Sequence, residues 1–221
     1  MPIKINGTNT AANPSITGSD TDTGIVYGSD QIDFSIGGAS KATINSAGNL
    51  STVSVSSSGT VVVSNKPAVS AELSATTNHS GAPSTVPFDT KTFDHGGCFN
   101  ATSSAATLNG ISVPAHAFLP NVAGIYHVSV TATSGSTSSG SITDFHTALR
   151  KNSTDIGSFD ADPKDTDPEN IVSGHVSMLV EMNGTSDFLI VKVGCTTSGT
   201  ARHLGNGTFP RCTFAAHKLI I

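Results

Sequence analysis

Asn121-Val122-Ala123-Gly124-Ile125-Tyr126-His127-Val128-Ser129-Val130-Thr131-Ala132 decides how this chain is read. A Gly turn delivers an aromatic directly into a strand of strict period two. Tyr126, Val128, Val130 and Ala132 fall on one face; Ile125, His127, Ser129 and Thr131 fall on the other. Tyr126, Val128 and Val130, with Phe214 near the C-terminus, are the candidate core residues.

The same alternation recurs downstream. Val176, Met178, Val180 and Met182 share one face, and after a polar turn Leu189, Val191 and Val193 share another; together they predict a hairpin buried on one side. The chain of 221 residues contains 22 Gly and only 12% charged residues, and it shows hardly a helical pattern anywhere. Short alternating runs between turn signals predict an all-β sandwich. With 5% aromatics and no Trp, the core is expected to be built from Val, Ile, Leu and Ala, which bury less area per residue. Oligomerisation is the expected source of further stability.

Several landmarks occur in a telling order over residues 67–221: Pro67-Ala68-Val69-Ser70-Ala71, Val86-Pro87-Phe88, Asp94-His95-Gly96-Gly97-Cys98-Phe99-Asn100, Phe118-Leu119-Pro120 before Ala123-Gly124-Ile125-Tyr126, Leu149-Arg150-Lys151-Asn152, Met182-Asn183-Gly184-Thr185-Ser186-Asp187 before Phe188-Leu189-Ile190-Val191, and Thr213-Phe214-Ala215-Ala216-His217-Lys218-Leu219-Ile220. In that order they resemble the jelly-roll head of the complement subcomponent q and tumour necrosis factor superfamily. The resemblance implies a trimer that binds other surfaces, with Tyr126, Val128, Val130 and Phe214 as the candidate trimer and core residues.

Residues 1–66 are rich in Ser, Thr, Asn and Gly, with short hydrophobic clusters too irregular for a solenoid. Isolated, they have little to bury. Ala12–Ile16, Asp20–Ile25, Ile32–Ile36 and Ala42–Leu50 resemble a module of bacteriophage tail fibres in which three chains share one slender core. Ser51–Asn65, carrying Val53, Val55 and Val61-Val62-Val63, is expected to extend that stalk, and the domain boundary is placed near Lys66-Pro67. The expected architecture is therefore an extended N-terminal trimeric β stalk (1–66) followed by a C-terminal jelly-roll β sandwich (67–221), with folding and assembly a single event.

No apolar run approaches the roughly 20 residues that span a bilayer, and Met1–Asn6 has no hydrophobic signal region. A complement-type head without an export signal fits a particle assembled in a host cytoplasm and released by lysis, hence a virion location. The net charge of −5 and the scattering of Lys and Arg argue against nucleic acid, whose phosphates require a clustered positive field.

Cys98, Cys195 and Cys212 are odd in number and at no metal-ligand spacing, which makes buried free thiols the default. Cys195 and Cys212 are candidates for a bond only if their Cα atoms lie within about 7 Å. Asp155 through Glu169 concentrates charge. Asp160, Asp162, Asp165 and Asp167 are candidate calcium ligands, as some members of the complement family bind calcium, but the spacing lacks the Gly and terminal Glu of a helix-loop-helix calcium loop and a solvated loop is favoured. The eight histidines are dispersed, with His127, His175 and His217 inside strand patterns, where interface or hydrogen-bonded roles are favoured over metal ligation. Asp144, Asp187 and the acidic loop are the acids available for glycan cleavage, which needs two carboxylates about 5 to 9 Å apart; nothing orders them as a pair, no Gly-x-Ser-x-Gly elbow is present, and no enzymatic activity or cofactor is expected.

The functional expectation is a homotrimeric short tail fibre, held to other virion proteins by its N-terminal segment and adsorbing to a host surface glycan or protein. Loops 74–85, 133–143, 153–173 and 196–211 are the expected contact surface. A capsid decoration or head-fibre protein is the alternative, and a polysaccharide depolymerase the third.

Overall fold

Alternating patterns with turn signals every few residues commit the chain to strands, and strands are what form. The computed structural model describes residues 4–5, 9–12, 14–52, 66–137, 140–163, 170–205 and 212–219, and among them every regular element is a β-strand. Two separately packed units divide the chain, Met1–Val62 and Val63–Ile221.

The first unit is one antiparallel sheet in which each strand pairs with the next: β1 (Lys4–Ile5), β2 (Ile16–Thr17), β3 (Gly24–Gly28), β4 (Gln31–Ile36), β5 (Ala39–Ile44) and β6 (Leu50–Thr52). Gly37 and Gly38, at φ +60° and +73°, make the two-residue turn between β4 and β5, a backbone that L side chains resist and that suits the twist of a tight hairpin. The expected stalk extension Ser51–Asn65 lies from residue 53 onward outside the described residues.

The second unit holds β7 (Ala68–Glu72), β8 (Thr77–Asn78), β9 (Ser84–Thr85), β10 (Thr90–His95), β11 (Ala106–Leu108), β12 (Ile111–Val113), β13 (Gly124–Ser136), β14 (Ile142–Lys151), β15 (Thr154–Ala161), β16 (Ile171–Met182), β17 (Leu189–Thr197), β18 (Ala201–His203) and β19 (Thr213–Lys218). Its eight principal strands pair first with last: β7 with β19, β9 with β17, β13 with β16, β14 with β15. This is a long hairpin rolled up on itself, the topology of a jelly roll. One sheet runs β10-β7-β19-β13 with β16 on β13, the other β15-β14-β17-β9.

The expected hairpin of residues 176–182 with 189–193 does not form. Strand β16 pairs with β13 over Gly124↔Met182 to Gly135↔Ile171, whereas β17 lies in the opposite sheet between β14 and β9. The alternation was read correctly, because both strands turn their apolar face to the same interior; alternation names a face and never a partner. The turn between them is held by Asn183 Oδ1, which accepts the Thr185, Ser186 and Asp187 amides at 2.9, 2.9 and 3.0 Å, while Asp187 accepts the Asn183 amide at 2.9 Å and meets Lys151 Nζ at 2.8 Å.

The core is also more aromatic than composition implies. Phe88, Phe99, Phe118, Phe145, Phe214 and Tyr126 are all buried. Phe214 sits among Phe99, Phe118 and Phe88 at ring separations of 5.5, 5.8 and 6.0 Å. Few rings suffice when they gather at one place. Tyr126, Val128, Val130 and Phe214 are at most 1% exposed, so a single chain covers them.

Two of the four expected loops are strand for much of their length. Residues 133–136 continue β13, with Thr133, Ser134 and Ser136 buried, and residues 154–161 are β15. Ser and Thr bury here because their hydroxyls find partners, such as Thr133 with Ser173 at 2.9 Å and Ser136 with Thr197 at 2.7 Å.

Candidate functional site

At one end of the second unit, three segments that are distant in sequence close around a cleft of about 640 Å³. Its walls are residues His79–Pro83, the stretch Gly194–Thr197 with Gly199–Ala201, and the outward side chains Asp144 and His146 of β14. The β14 pattern explains the last two: Phe145 and Leu149 point to the core and are fully buried, so the opposite phase, Asp144 and His146, faces out.

Backbone bonds fix the first wall. His79 N–H donates to Ala201 O at 2.9 Å, and Cys195 N–H donates to Gly81 O at 2.8 Å. A Cβ at Gly194 would meet Pro83 N and Cγ at 3.1 Å and Gly81 O at 3.2 Å, so the missing side chain is what lets residues 81–83 lie on β17. Gly199 N–H donates to Thr197 Oγ1 at 3.1 Å, and Thr137 N–H to Thr200 O at 3.2 Å, securing the other wall.

Beneath the cleft, the rings of His79 and His203 stack with centroids 4.2 Å apart and planes 16° from parallel. His79 Nδ1 accepts the Gly81 amide at 3.1 Å, so the neutral ring carries its proton on Nε2, which lies 3.1 Å from Ser134 Oγ. Ser134 in turn sits 3.3 Å from Cys195 Sγ and 3.2 Å from Arg202 O, and Ser84 Oγ is 3.1 Å from His203 Nε2. Burial lowers the pKa of both rings; for His203, only 2% exposed, burial and then the proximity of His79 bring it down to about 3. The pair is thus neutral at physiological pH. Burial pushes the Cys195 thiol up, and the nearby Asp144 carboxylate adds to this against the Ser134 hydrogen bond. A thiol in that state is a poor nucleophile.

At the outer rim His146 bridges two strands, facing Gly194 of β17 on one side and Asp160 of β15 on the other, with Nδ1 2.5 Å from Asp160 Oδ1. Of the candidate calcium ligands, Asp160 is therefore engaged with His146, Asp162 is exposed, and Asp165 and Asp167 lie outside the described residues. Asp155 pairs with Arg150 at 2.6 Å. No group of three or more His, Cys, Asp or Glu side chains suited to a metal ion occurs among the described residues.

Of the dispersed histidines, two further ones meet across β13 and β19. His127 and His217 are register partners with rings 5.3 Å apart, and His127 Nε2 lies 3.0 Å from Ser177 Oγ while His175 Nδ1 lies 3.2 Å from Thr131 Oγ1. Cys98, Cys195 and Cys212 are all free and buried. Each has its own partner: Asp94 Oδ1 at 3.2 Å for Cys98, Ser134 for Cys195, the Thr133 amide at 3.2 Å for Cys212. Parts of the expected contact loops 74–85 and 196–211 do meet in this cleft, residues 79–83 against 196–197 and 199–201, with Ser134 of the 133–143 stretch behind them. Sequence reasoning did not single out His79, His146 or His203 for it. The one signal available was Asp144-Phe145-His146, a polar-apolar-polar triplet that puts two functional groups on one strand face.

No family model matches this chain, and no curated protein matches it. Among solved structures it is similar to murine APRIL crystallised at pH 5.0 (9% identity over 70% of this chain and 99% of that one, TM-score 0.47) and at pH 8.0 (9%, 70%, 99% and 0.46). It is similar also to Eiger TNF from S. frugiperda, at 14% identity over 71% of this chain and 94% of that one, TM-score 0.42. Likeness at this level carries no argument, and the jelly-roll assignment stands on the chain's own strand pairing.

Proposed function

We propose that this chain is a structural bacteriophage virion protein, a homotrimeric short tail fibre that assembles through its N-terminal unit and adsorbs to the host surface through its head. The observation that carries the proposal is the lopsidedness of the N-terminal sheet. Cross-strand partners share a face, and one face is formed by two apolar rows: Ile16, Ile25, Phe34 and Ala42, then Tyr27, Ile32, Ile44 and Leu50. The other face carries Asp33, which accepts from Thr43 Oγ1 and from Gln31 Nε2, the latter at 2.7 Å, alongside Ser35 and Ser51. Apart from Pro14, the one large apolar side chain buried among the described residues of this unit is Val26, which as the register partner of Asp33 lies on that other face, so the apolar rows themselves bury none of their side chains.

Tyr27, Phe34, Ile36 and Leu50 remain 46%, 40%, 58% and 62% exposed. Their uncovered surface amounts to about two whole side chains, so covering it is worth roughly 3–6 kcal/mol per chain. A face of this kind on a single-layer sheet is an association surface, and further copies of the chain are the natural cover. The number three and the phage setting come from the resemblance of residues 12–50 to fibre modules. The head, whose core is complete within one chain, is free to present its loops, and three of them convert weak contacts into useful avidity. The raised pKa of Cys195 and the engagement of Asp187 in its turn favour binding over catalysis.

Light scattering on the purified full chain tests the assembly: three chain masses are expected, and Ile36→Ser with Leu50→Ser should release monomers with a folded head. A well-folded wild-type monomer refutes it. Immunogold labelling of particles should then mark the tail tip; label spread over the capsid replaces the fibre with a decoration protein.

A further inference from the structure

Taking adsorption as the head's role, the geometry points to the cleft beside Asp144 as a site for a saccharide bearing a free amino group. Its size, about 640 Å³, lies within the roughly 300–1,000 Å³ of small-molecule sites. Both walls are tied down by main-chain bonds, so little ordering is left for a ligand to impose.

The lining selects the class. Among the described residues no Lys or Arg lines the cleft, and its one carboxylate is Asp144, which is exposed. Asp160 on the neighbouring strand is bonded to His146 at the rim, so Asp144 is the carboxylate left to meet a ligand. The stacked His79 and His203 beneath are held neutral and supply no counter-charge. Carboxylate or phosphate ligands are therefore repelled, and an ammonium is attracted.

The polar groups that remain, beside the apolar Ala82, Pro83 and Ala201, are hydroxyls and one imidazole edge: Ser80, Thr196 and Thr200 are exposed at the surface of the walls, and the Nδ1 bond of His146 to Asp160 leaves Nε2 as its edge for a ligand. Such a lining suits hydroxyl-rich molecules. Among the described residues no aromatic ring other than the histidines lines it, so the site offers hydrogen bonds rather than a stacking platform for a nucleobase or a large planar ligand. An amino sugar answers all three conditions: its ammonium meets Asp144, and its ring hydroxyls meet the threonines and His146.

Isotope-labelled full-length protein titrated with the glucosamine trimer, its fully N-acetylated counterpart and trigalacturonate tests this by NMR. The glucosamine trimer should shift the amides of residues 80–82 and 194–201 and bind about tenfold tighter than the acetylated trimer, the usual worth of one charge-assisted hydrogen bond. Trigalacturonate should leave those amides unmoved. Asp144→Asn, at an exposed position, should abolish the tenfold preference while leaving the melting temperature unchanged; Thr196→Val should weaken both glucosamine-based trimers alike. Equal binding of trigalacturonate, absence of shifts with every trimer, or a preference that survives Asp144→Asn overturns the site. The wider adsorption reading is judged separately by pulling down full chain on host cells: adsorption without amide shifts from any trimer overturns this site and spares adsorption, whereas amino-sugar binding without adsorption supports the site and removes the host-attachment role.

Discussion

Acid should loosen the head through the stacked histidines, by an amount the structure fixes. His203 is 2% exposed and its pKa is brought down to about 3, against 6.5 for a free side chain. Between those values the unfolded chain holds a proton on this ring and the folded chain does not, so unfolding takes up a proton. Stability from this group is complete above about pH 6.5 and is lost progressively as the pH falls toward 3. At roughly 1.4 kcal/mol per pH unit, lowering the pH from 7 to 5 costs about 2 kcal/mol, and pH 4 costs about 3. His79 shifts in the same direction, and protonating its Nδ1 would also break the bond from the Gly81 amide that anchors the cleft loop. The groups around the pair are Ser84, Ser134, the raised thiol of Cys195 and, beyond it, the Asp144 carboxylate. Urea unfolding followed by far-UV circular dichroism suits a protein without Trp. His203→Gln, which keeps a partner for Ser84 but cannot titrate, should be less stable at pH 7 yet lose about 2 kcal/mol less on going to pH 5. Equal pH slopes in the two proteins refute the reasoning, as does a His203 ring resonance that titrates near pH 6.5.

Two further outcomes follow from the core. Phe214→Ala removes the ring shared by Phe88, Phe99 and Phe118 and should cost about 3–5 kcal/mol of unfolding free energy; a loss below 1 kcal/mol would mean the cluster collapses without a cavity. Burial raises all three thiols, Cys212 to about 11, Cys98 well above the usual range with Asp94 adding to it, and Cys195. Iodoacetamide at pH 8 should therefore leave the native protein unmodified and label all three cysteines in urea, with mass spectrometry as the readout; native labelling at the rate of a free thiol contradicts the burial.

Much of the fold was legible. The alternation at 125–132 predicted which side chains reach the interior, and Tyr126, Val128 and Val130 do. The scarcity of helical periodicity predicted all-β architecture. The errors have one origin. Residues 176–182 and 189–193 were correctly oriented but wrongly paired, since a period of two is the same whether the neighbour is the next strand or one fifty residues away. The mainly aliphatic core was an inference from an average, and averages do not see four phenylalanines converging with a tyrosine. The cleft was hidden for the same reason as the pairing. His79, Asp144, His146, Cys195 and His203 have no common spacing, and rolling the hairpin is what brings them together.

By itself the amino-acid sequence determined that this chain makes strands, which face of each is apolar, and that residues 1–66 have too little apolar material to bury in isolation. Those properties follow from local pattern, because the side-chain period and turn chemistry are set by neighbours along the chain. Only the tertiary structure decided which strands join, that neutral histidines would stack beneath a cleft, and that Asp144 would be the one carboxylate among its described lining residues. Contacts between distant segments depend on how the whole hairpin closes, and no local pattern carries that information.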